Sequence, residues 1–176
     1  MGRGALARAI PARLASVTHP TLGRPPTDFR AGFPAAATSL RESRGRLAAW
    51  ALEYAVDRDA TLTERSDEAA LRGLLADAEV LVDRIALAVA SGAPRFVAEW
   101  AEWVAPLYRR RRVPMDDVIN LSEGLRRAVR SILGPDEARS ADLAVDEGIR
   151  VLKWHRRLAG DARKRNWLLQ LIYKGA

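Results

Sequence analysis

The stretch that decides the fold spans residues 95–157 and reads RFVAEWAEWVAPLYRRRRVPMDDVINLSEGLRRAVRSILGPDEARSADLAVDEGIRVLKWHRR. It contains a tryptophan-rich segment, four consecutive arginines, a Val113-Pro114 turn and a Gly134-Pro135 break. Between these breaks apolar residues recur every three or four positions, which places them on one face of a helix. The stretch therefore predicts three consecutive amphipathic helices, over about 94–111, 115–133 and 136–158. Pro106 is expected to kink the first of them or to break its last turn.

The same spacing predicts further helices on both sides of this stretch. One begins near Thr38 or Ser39 and fades at 57–60, and a polar connector follows to residue 65. The next is capped by Ser66 and ends at Gly92, a residue suited to a left-handed helix C-terminus. After the central stretch, Gly160 is expected to end a helix and to separate a final one over 161–173. No segment alternates with the two-residue period of a strand, so the prediction is an all-α domain of five to six helices.

Five prolines interrupt the first 37 residues, namely Pro11, Pro20, Pro25, Pro26 and Pro34. Proline removes a backbone donor and restricts the residue before it, so little helix is expected there. The sequence thus predicts a disordered tail over 1–37 and a helical domain over 38–176, with 48% hydrophobic residues to supply a core.

Candidate catalytic and metal sites are few. The chain has no cysteine and only two histidines, His19 and His155. Neither a glycine-rich phosphate loop nor a nucleophile elbow is present. Asp116 and Asp117 diverge by about 100° on a helix, so capping of that helix's N-terminus explains both better than a catalytic pair does. We therefore expect a non-enzymatic protein with no metal and no cofactor. His155 is either a partly buried or surface histidine or, in the sharper alternative, a haem ligand.

The net charge of +7 comes from the C-terminal part of the chain, because charges cancel over residues 1–148. A single acid, Asp161, accompanies the cations of residues 149–176. This basic patch indicates either a solvated helix face or a contact with nucleic acid or a membrane surface. No apolar run approaches the roughly 20 residues that a membrane span needs. The patch comprises Arg150, Lys153, Arg156, Arg157, Arg163, Lys164 and Arg165, with Lys174 beyond it.

Five aromatic residues are candidates for a ligand pocket or an interface, although helical spacing also fits a core. They are Trp100, Trp103, Tyr108, Trp154 and Trp167. The run Arg109–Arg112 stands at a helix C-terminus, where the dipole favours cations and opposes an anion. Salt bridges from this run to Glu99 or Glu102 are therefore expected, rather than a phosphate site.

The tryptophan-rich helix, the basic turn, the Val-Pro-x-Asp-Asp start and the following Leu/Arg helix resemble the N-terminal sensor domain of the RsbR stressosome family, over residues 66–158. The resemblance implies a haemless, globin-like helical fold that dimerises through helices and precedes an output domain. Here the sequence leaves no room for such an output domain after the helices, which suggests a stand-alone sensor or a fragment.

These observations together predict a non-enzymatic bacterial signalling module that acts through protein–protein contacts or an apolar ligand. We expect a cytoplasmic homodimer with a protein partner, whose interface lies on the 94–111 or the 161–173 helix. The alternative is a nucleic-acid-binding protein that uses residues 149–176. No recognition helix follows a tight turn, so nucleic acid is the less favoured partner.

Overall fold

The computed structural model describes residues 32–165, with side chains as far as Leu158. All regular structure in that range is helical, which confirms the predicted all-α class. Seven helices follow one another there, two of them short, against the five to six predicted. They are α1 Pro34–Glu42, α2 Arg44–Arg58, α3 Thr61–Arg65, α4 Glu68–Ser91, α5 Arg95–Arg110, α6 Met115–Arg130 and α7 Pro135–Arg165.

Helix α4 is central, because α1, α2, α5, α6 and α7 all pack against it. Helix α6 lies between α2 and α7, and α5 packs on α7. The core that they enclose consists mostly of alanine, leucine and valine. Alanine presents little side-chain volume, so the helix backbones approach closely.

Two contacts fix the direction of α7 relative to α5. A Cβ atom on Gly148 would stand 2.6 Å from Cγ1 of Val97. Seven residues further along α7, His155 contacts Glu102 of α5 at 3.1 Å. Residue numbers rise together on the two helices, so α5 and α7 run parallel. Helix α7 continues past the end of α5.

The N-terminal helices differ from the prediction in three places. Helix α1 starts at Pro34, four residues before the expected Thr38, because proline is tolerated in the first turn of a helix. Ser43 divides the helix that was expected to be continuous. The supposed polar connector contains α3, which is held by Leu62 at 1% exposure. The disordered tail expected over 1–37 is wrong for residues 34–37, which belong to α1, and residues 1–31 lie outside the described range.

The expected break at Gly160 is wrong. Helix α7 is one helix of 31 residues from Pro135 to Arg165, and it passes through Gly160. A single glycine costs only about 1 kcal/mol relative to alanine inside a helix, which good helix-forming neighbours can offset. The predicted helix over 161–173 is therefore a continuation of α7 as far as residue 165. Residues 166–176 lie outside the described range.

Helix ends follow the local chemistry with some changes. Asp67, rather than Ser66, caps α4 by accepting a hydrogen bond from the Ala70 amide at 2.7 Å. Gly92 adopts φ 66° at its C-terminus, as predicted. Pro106 does not end α5, which continues to Arg110. Helix α6 ends at Arg130, three residues before the predicted Leu133.

A buried carboxylate at the start of α6 holds α3 in place. Asp117 is 4% exposed and pairs with Arg65, which also lies 3.1 Å from Asp59. Burial raises the pKa of Asp117, and Arg65 opposes that shift by stabilising the charged form. The expectation that Asp116 and Asp117 cap this helix is corrected, since neither side chain makes a cap hydrogen bond. Asp116 pairs with Arg156 of α7 instead.

The close crossing of α2 and α6 predicts opposite effects of alanine at two glycines. A Cβ on Gly124 would stand 2.7 Å from the Ala51 carbonyl oxygen, so Gly124→Ala should lower the free energy of unfolding by about 2 kcal/mol. A Cβ on Gly45 would stand 3.7 Å from Oε1 of Glu79, an ordinary contact distance. Gly45→Ala should therefore leave the free energy of unfolding unchanged or raise it by up to about 1 kcal/mol. Urea denaturation of both variants measures the difference. Equal effects at the two sites would contradict the crossing.

The Arg65–Asp117 pair predicts a stability change that depends on pH. Arg65→Ala leaves Asp117 buried without this partner and should cost about 2 kcal/mol at pH 7, less than a fully buried pair because water reaches Arg65. The loss should shrink as pH falls through the raised pKa of Asp117, because the neutral carboxyl needs no cation. Adding Asp117→Asn should recover most of the loss, whereas Arg72→Ala, in an exposed pair with Glu68, should change little. A double variant no more stable than Arg65→Ala would overturn this account.

Candidate interaction surface

The aromatic candidates divide between the core and the surface. Trp100 and Tyr108 are buried at 5% and 1% exposure, so they serve the core. Trp103, on the same helix, is 67% exposed, the highest value among the large hydrophobic side chains described. Trp154 is half-buried on α7. Trp167 lies outside the described residues.

The four arginines at the end of α5 differ in their contacts. Arg111 pairs with Asp77 of α4 at 3.2 Å, and Arg109 reaches His155 of α7. The salt bridge expected from the arginine run is thus made with Asp77, whereas Glu99 pairs weakly with Arg95 and Glu102 contacts His155. The remaining members, Arg110 and Arg112, are exposed.

Arg112 occupies an unusual backbone conformation. Its φ is 58°, the left-handed region that favours glycine. The Val113 amide donates to the Tyr108 carbonyl at 2.9 Å, and the Arg112 amide donates to the Arg109 carbonyl at 3.3 Å. This is the Schellman pattern, in which an arginine takes the position usually held by glycine. The turn therefore holds Arg112 at the surface at the cost of local strain.

Tyr108 is packed next to the Asp77–Arg111 pair. Burial raises the pKa of its hydroxyl, and the neighbouring Asp77 carboxylate raises it further. The Arg111 guanidinium lies 5.9 Å from the centre of the ring. The Tyr108 side chain is therefore neutral at neutral pH. It packs where α5 meets α4 and does not act as an acid or a base there.

His155 joins α7 to α5 through both ring nitrogens. Nε2 lies 3.1 Å from Oε2 of Glu102, and Nδ1 lies 3.4 Å from Nη2 of Arg109. A guanidinium only donates hydrogen bonds, so Nδ1 accepts, and Nε2 carries the proton that is donated to Glu102. The Trp154 ring meets the imidazole edge-on at 4.8 Å between centroids. Packing between α5 and α7 accounts for all of these contacts and gives no support to a haem ligand.

The basic patch on α7 is partly neutralised. Arg150 pairs with Glu147 at 2.9 Å, and Arg156 pairs with Asp116. Lys153 and Arg157 are exposed. The backbone of Arg163, Lys164 and Arg165 is helical, and their side chains lie outside the described set. The described part of the patch is therefore a mixture of paired and free cations.

Exposed and half-exposed side chains of α5 and α7 form one outer surface, which we call the α5–α7 face. On α7 its apolar members follow one helical stripe, with Leu143 and Leu158 at 43% and 37% exposure. On α5 it includes Trp103 and the exposed Pro106. Glu102, Arg109 and His155 lie between the two helices. The face is made up of Glu99, Trp103, Pro106, Arg110, Leu143, Glu147, Trp154 and Leu158.

The described residues contain no group of histidines and acids that could hold a metal ion. Two carboxylates of α7 are engaged in ion pairs, since Asp142 pairs with Arg130 and Asp146 with Arg126. None of the helices within residues 32–165 is long and apolar enough to cross a membrane. The α5–α7 face is thus the feature of the described surface that most resembles a functional site.

Comparison with known proteins gives no relative for this chain: no family model, no curated protein and no solved structure matches it significantly.

The contacts of His155 predict its tautomer. In a His19→Gln background His155 is the single histidine, so ¹⁵N NMR at pH 8 should show one imidazole with the proton on Nε2. Arg109→Met alone should keep the proton on Nε2, because Glu102 still accepts from it, whereas Arg109→Met/Glu102→Leu should remove this preference and give a mixture of tautomers. Arg110→Met, one residue along and exposed, should leave the spectrum unchanged. A proton on Nδ1 in the parent would contradict the contact with Arg109.

Proposed function

We propose that this protein is a non-enzymatic helical signalling module that acts through protein–protein contacts on the α5–α7 face, with a second copy of the chain as its partner. The exposure of Trp103 carries this proposal. The Trp103 side chain is two-thirds exposed, so burying it against a partner would give favourable hydrophobic free energy. Tryptophan and arginine are also among the residues most enriched at the energetic hot spots of interfaces. Arg110 and Arg112 lie near it on the same helix and its C-terminal turn.

The other features of the proposal are consistent with this face. Both nitrogens of His155 contact side chains of α5, and Asp117, the buried carboxylate, pairs with Arg65, so these groups serve packing between helices. The resemblance of residues 66–158 to the RsbR sensor domain supports a bacterial signalling role and a cytoplasmic location. Trp100 and Tyr108, two of the candidates for the interface, are in the core. The interface therefore needs Trp103 together with the outer stripe of α7.

Self-association through Trp103 can be tested directly. At about 50 µM the wild-type chain should sediment as a dimer, and Trp103→Ser should raise the dissociation constant at least tenfold, about 1.4 kcal/mol. Trp50→Ser is the matched control, because Trp50 is 43% exposed on α2, away from this face. Circular dichroism should show both variants folded.

A wild-type chain that stays monomeric at this concentration would remove the second copy as partner. A dimer equally unaffected by both substitutions would remove the α5–α7 face. Tight, sequence-specific DNA binding that falls steeply with salt would favour the alternative function at the basic patch.

A further inference from the structure

Four exposed residues of α5 form a stripe whose spacing reads the same from either end. They are Glu99, Trp103, Pro106 and Arg110, separated by four, three and four residues. Helical positions three and four apart lie on the same side of a helix, so the four side chains share one outer line, which Arg95 continues one turn before Glu99. We call the line from Glu99 to Arg110 the α5 stripe. Within it an acid comes first, a base comes last, and two apolar groups lie between them.

This spacing has a consequence for two antiparallel copies of α5. When a two-fold axis passes between the positions of Val104 and Ala105, each member of the stripe faces another member. Glu99 then faces Arg110 of the partner subunit, and Trp103 faces Pro106 of the partner subunit. A two-fold interface repeats both contacts, so one register satisfies all four positions.

We propose that the protein forms a symmetric dimer in which the α5 stripes of two copies pair antiparallel in this register. The proposal rests on the proposed function and specifies its contact. Charge complementarity identifies a second copy as the occupant. Because each stripe carries both signs of charge in mirrored positions, it complements itself, whereas a purely basic face would repel its own copy.

The present partners of the charged pair leave both ends of the stripe available. Glu99 lies 3.8 Å from Arg95, and both side chains are more than 60% exposed, so this pair contributes little. Arg110 has no carboxylate of the described residues within salt-bridge distance. Contact with the partner would therefore add ion pairs without breaking a strong one.

The middle of the stripe supplies the apolar part of the contact. Pro106 costs α5 a backbone hydrogen bond, and in return it presents a rigid ring that loses little entropy when an indole packs on it. The stripe spans about 16 Å along the helix, because each residue rises about 1.5 Å. Leu143 and Leu158 of α7, both exposed, would extend the buried area toward that of a standard interface, about 800 Å² per partner.

Charge reversal tests the register. Glu99→Arg sets two arginines against each other at both ends of the dimer, and Arg110→Glu sets two glutamates against each other. Each single variant should raise the dissociation constant about tenfold or more. The double variant Glu99→Arg/Arg110→Glu restores opposite charges and should return to near the wild-type value. An equimolar mixture of the two single variants should form a heterodimer, because one subunit then carries only arginines and the other only glutamates.

Sedimentation velocity on the purified chains measures all four samples, with Arg84→Glu, an exposed reversal on α4, as the control expected to stay dimeric. Two monomeric single variants that associate only when mixed would establish the register. If Trp103→Ser dissociates the dimer while neither reversal weakens it, the face is correct and the register is wrong. If the wild-type chain is monomeric, both this register and the second copy as partner fail.

Discussion

The close approach of helix backbones is the constraint on which the rest of the structure depends. Gly124 leaves no room for a Cβ against the backbone of Ala51, and Gly148 leaves little against Val97. Alanines fill much of the remaining contact surface between helices. Helices separated by such small side chains leave little space between them, so the core holds few aromatic rings. Trp100 and Tyr108 lie on the side of α5 that faces the core. Trp103 lies on the outer side of the same helix and is exposed.

The long helices could be predicted from the sequence because their apolar residues repeat regularly. Helices α4 to α7 begin within two residues of their expected starts, and Gly92 has the left-handed conformation that its position called for. The errors concern residues whose local preference is weak. Leu62 is held by tertiary packing, Gly160 is tolerated by helix-forming neighbours, and the break at Ser43 has no sequence signal.

The ion pairs were the least predictable part of the site. Salt bridges from the arginine run to Glu99 or Glu102 were expected because these residues are close in sequence. Arg111 instead pairs with Asp77 of α4, and Arg109 contacts His155 of α7, because α4 and α7 flank the end of α5. The carboxylate of Asp117 is likewise held by Arg65, which is 52 residues away in sequence. Such partners depend on how helices are arranged, and one sequence gives little information about that arrangement.

The exposure of Trp103 did have a signal in the sequence. Trp100 and Trp103 are only three residues apart, which suggests a shared environment, yet their helical neighbours differ. Trp100 shares its side of α5 with Val97 and Val104, whereas Trp103 stands four residues after Glu99 and seven before Arg110. A tryptophan in line with charged residues on one helix is expected to face solvent or a partner, since burying that line would also bury the charges. The same charges make the line directional, with an acid at one end and a base at the other. Because of this direction, the stripe pairs favourably with an antiparallel copy, in which opposite charges meet. In a parallel copy like charges would meet, so that arrangement is disfavoured.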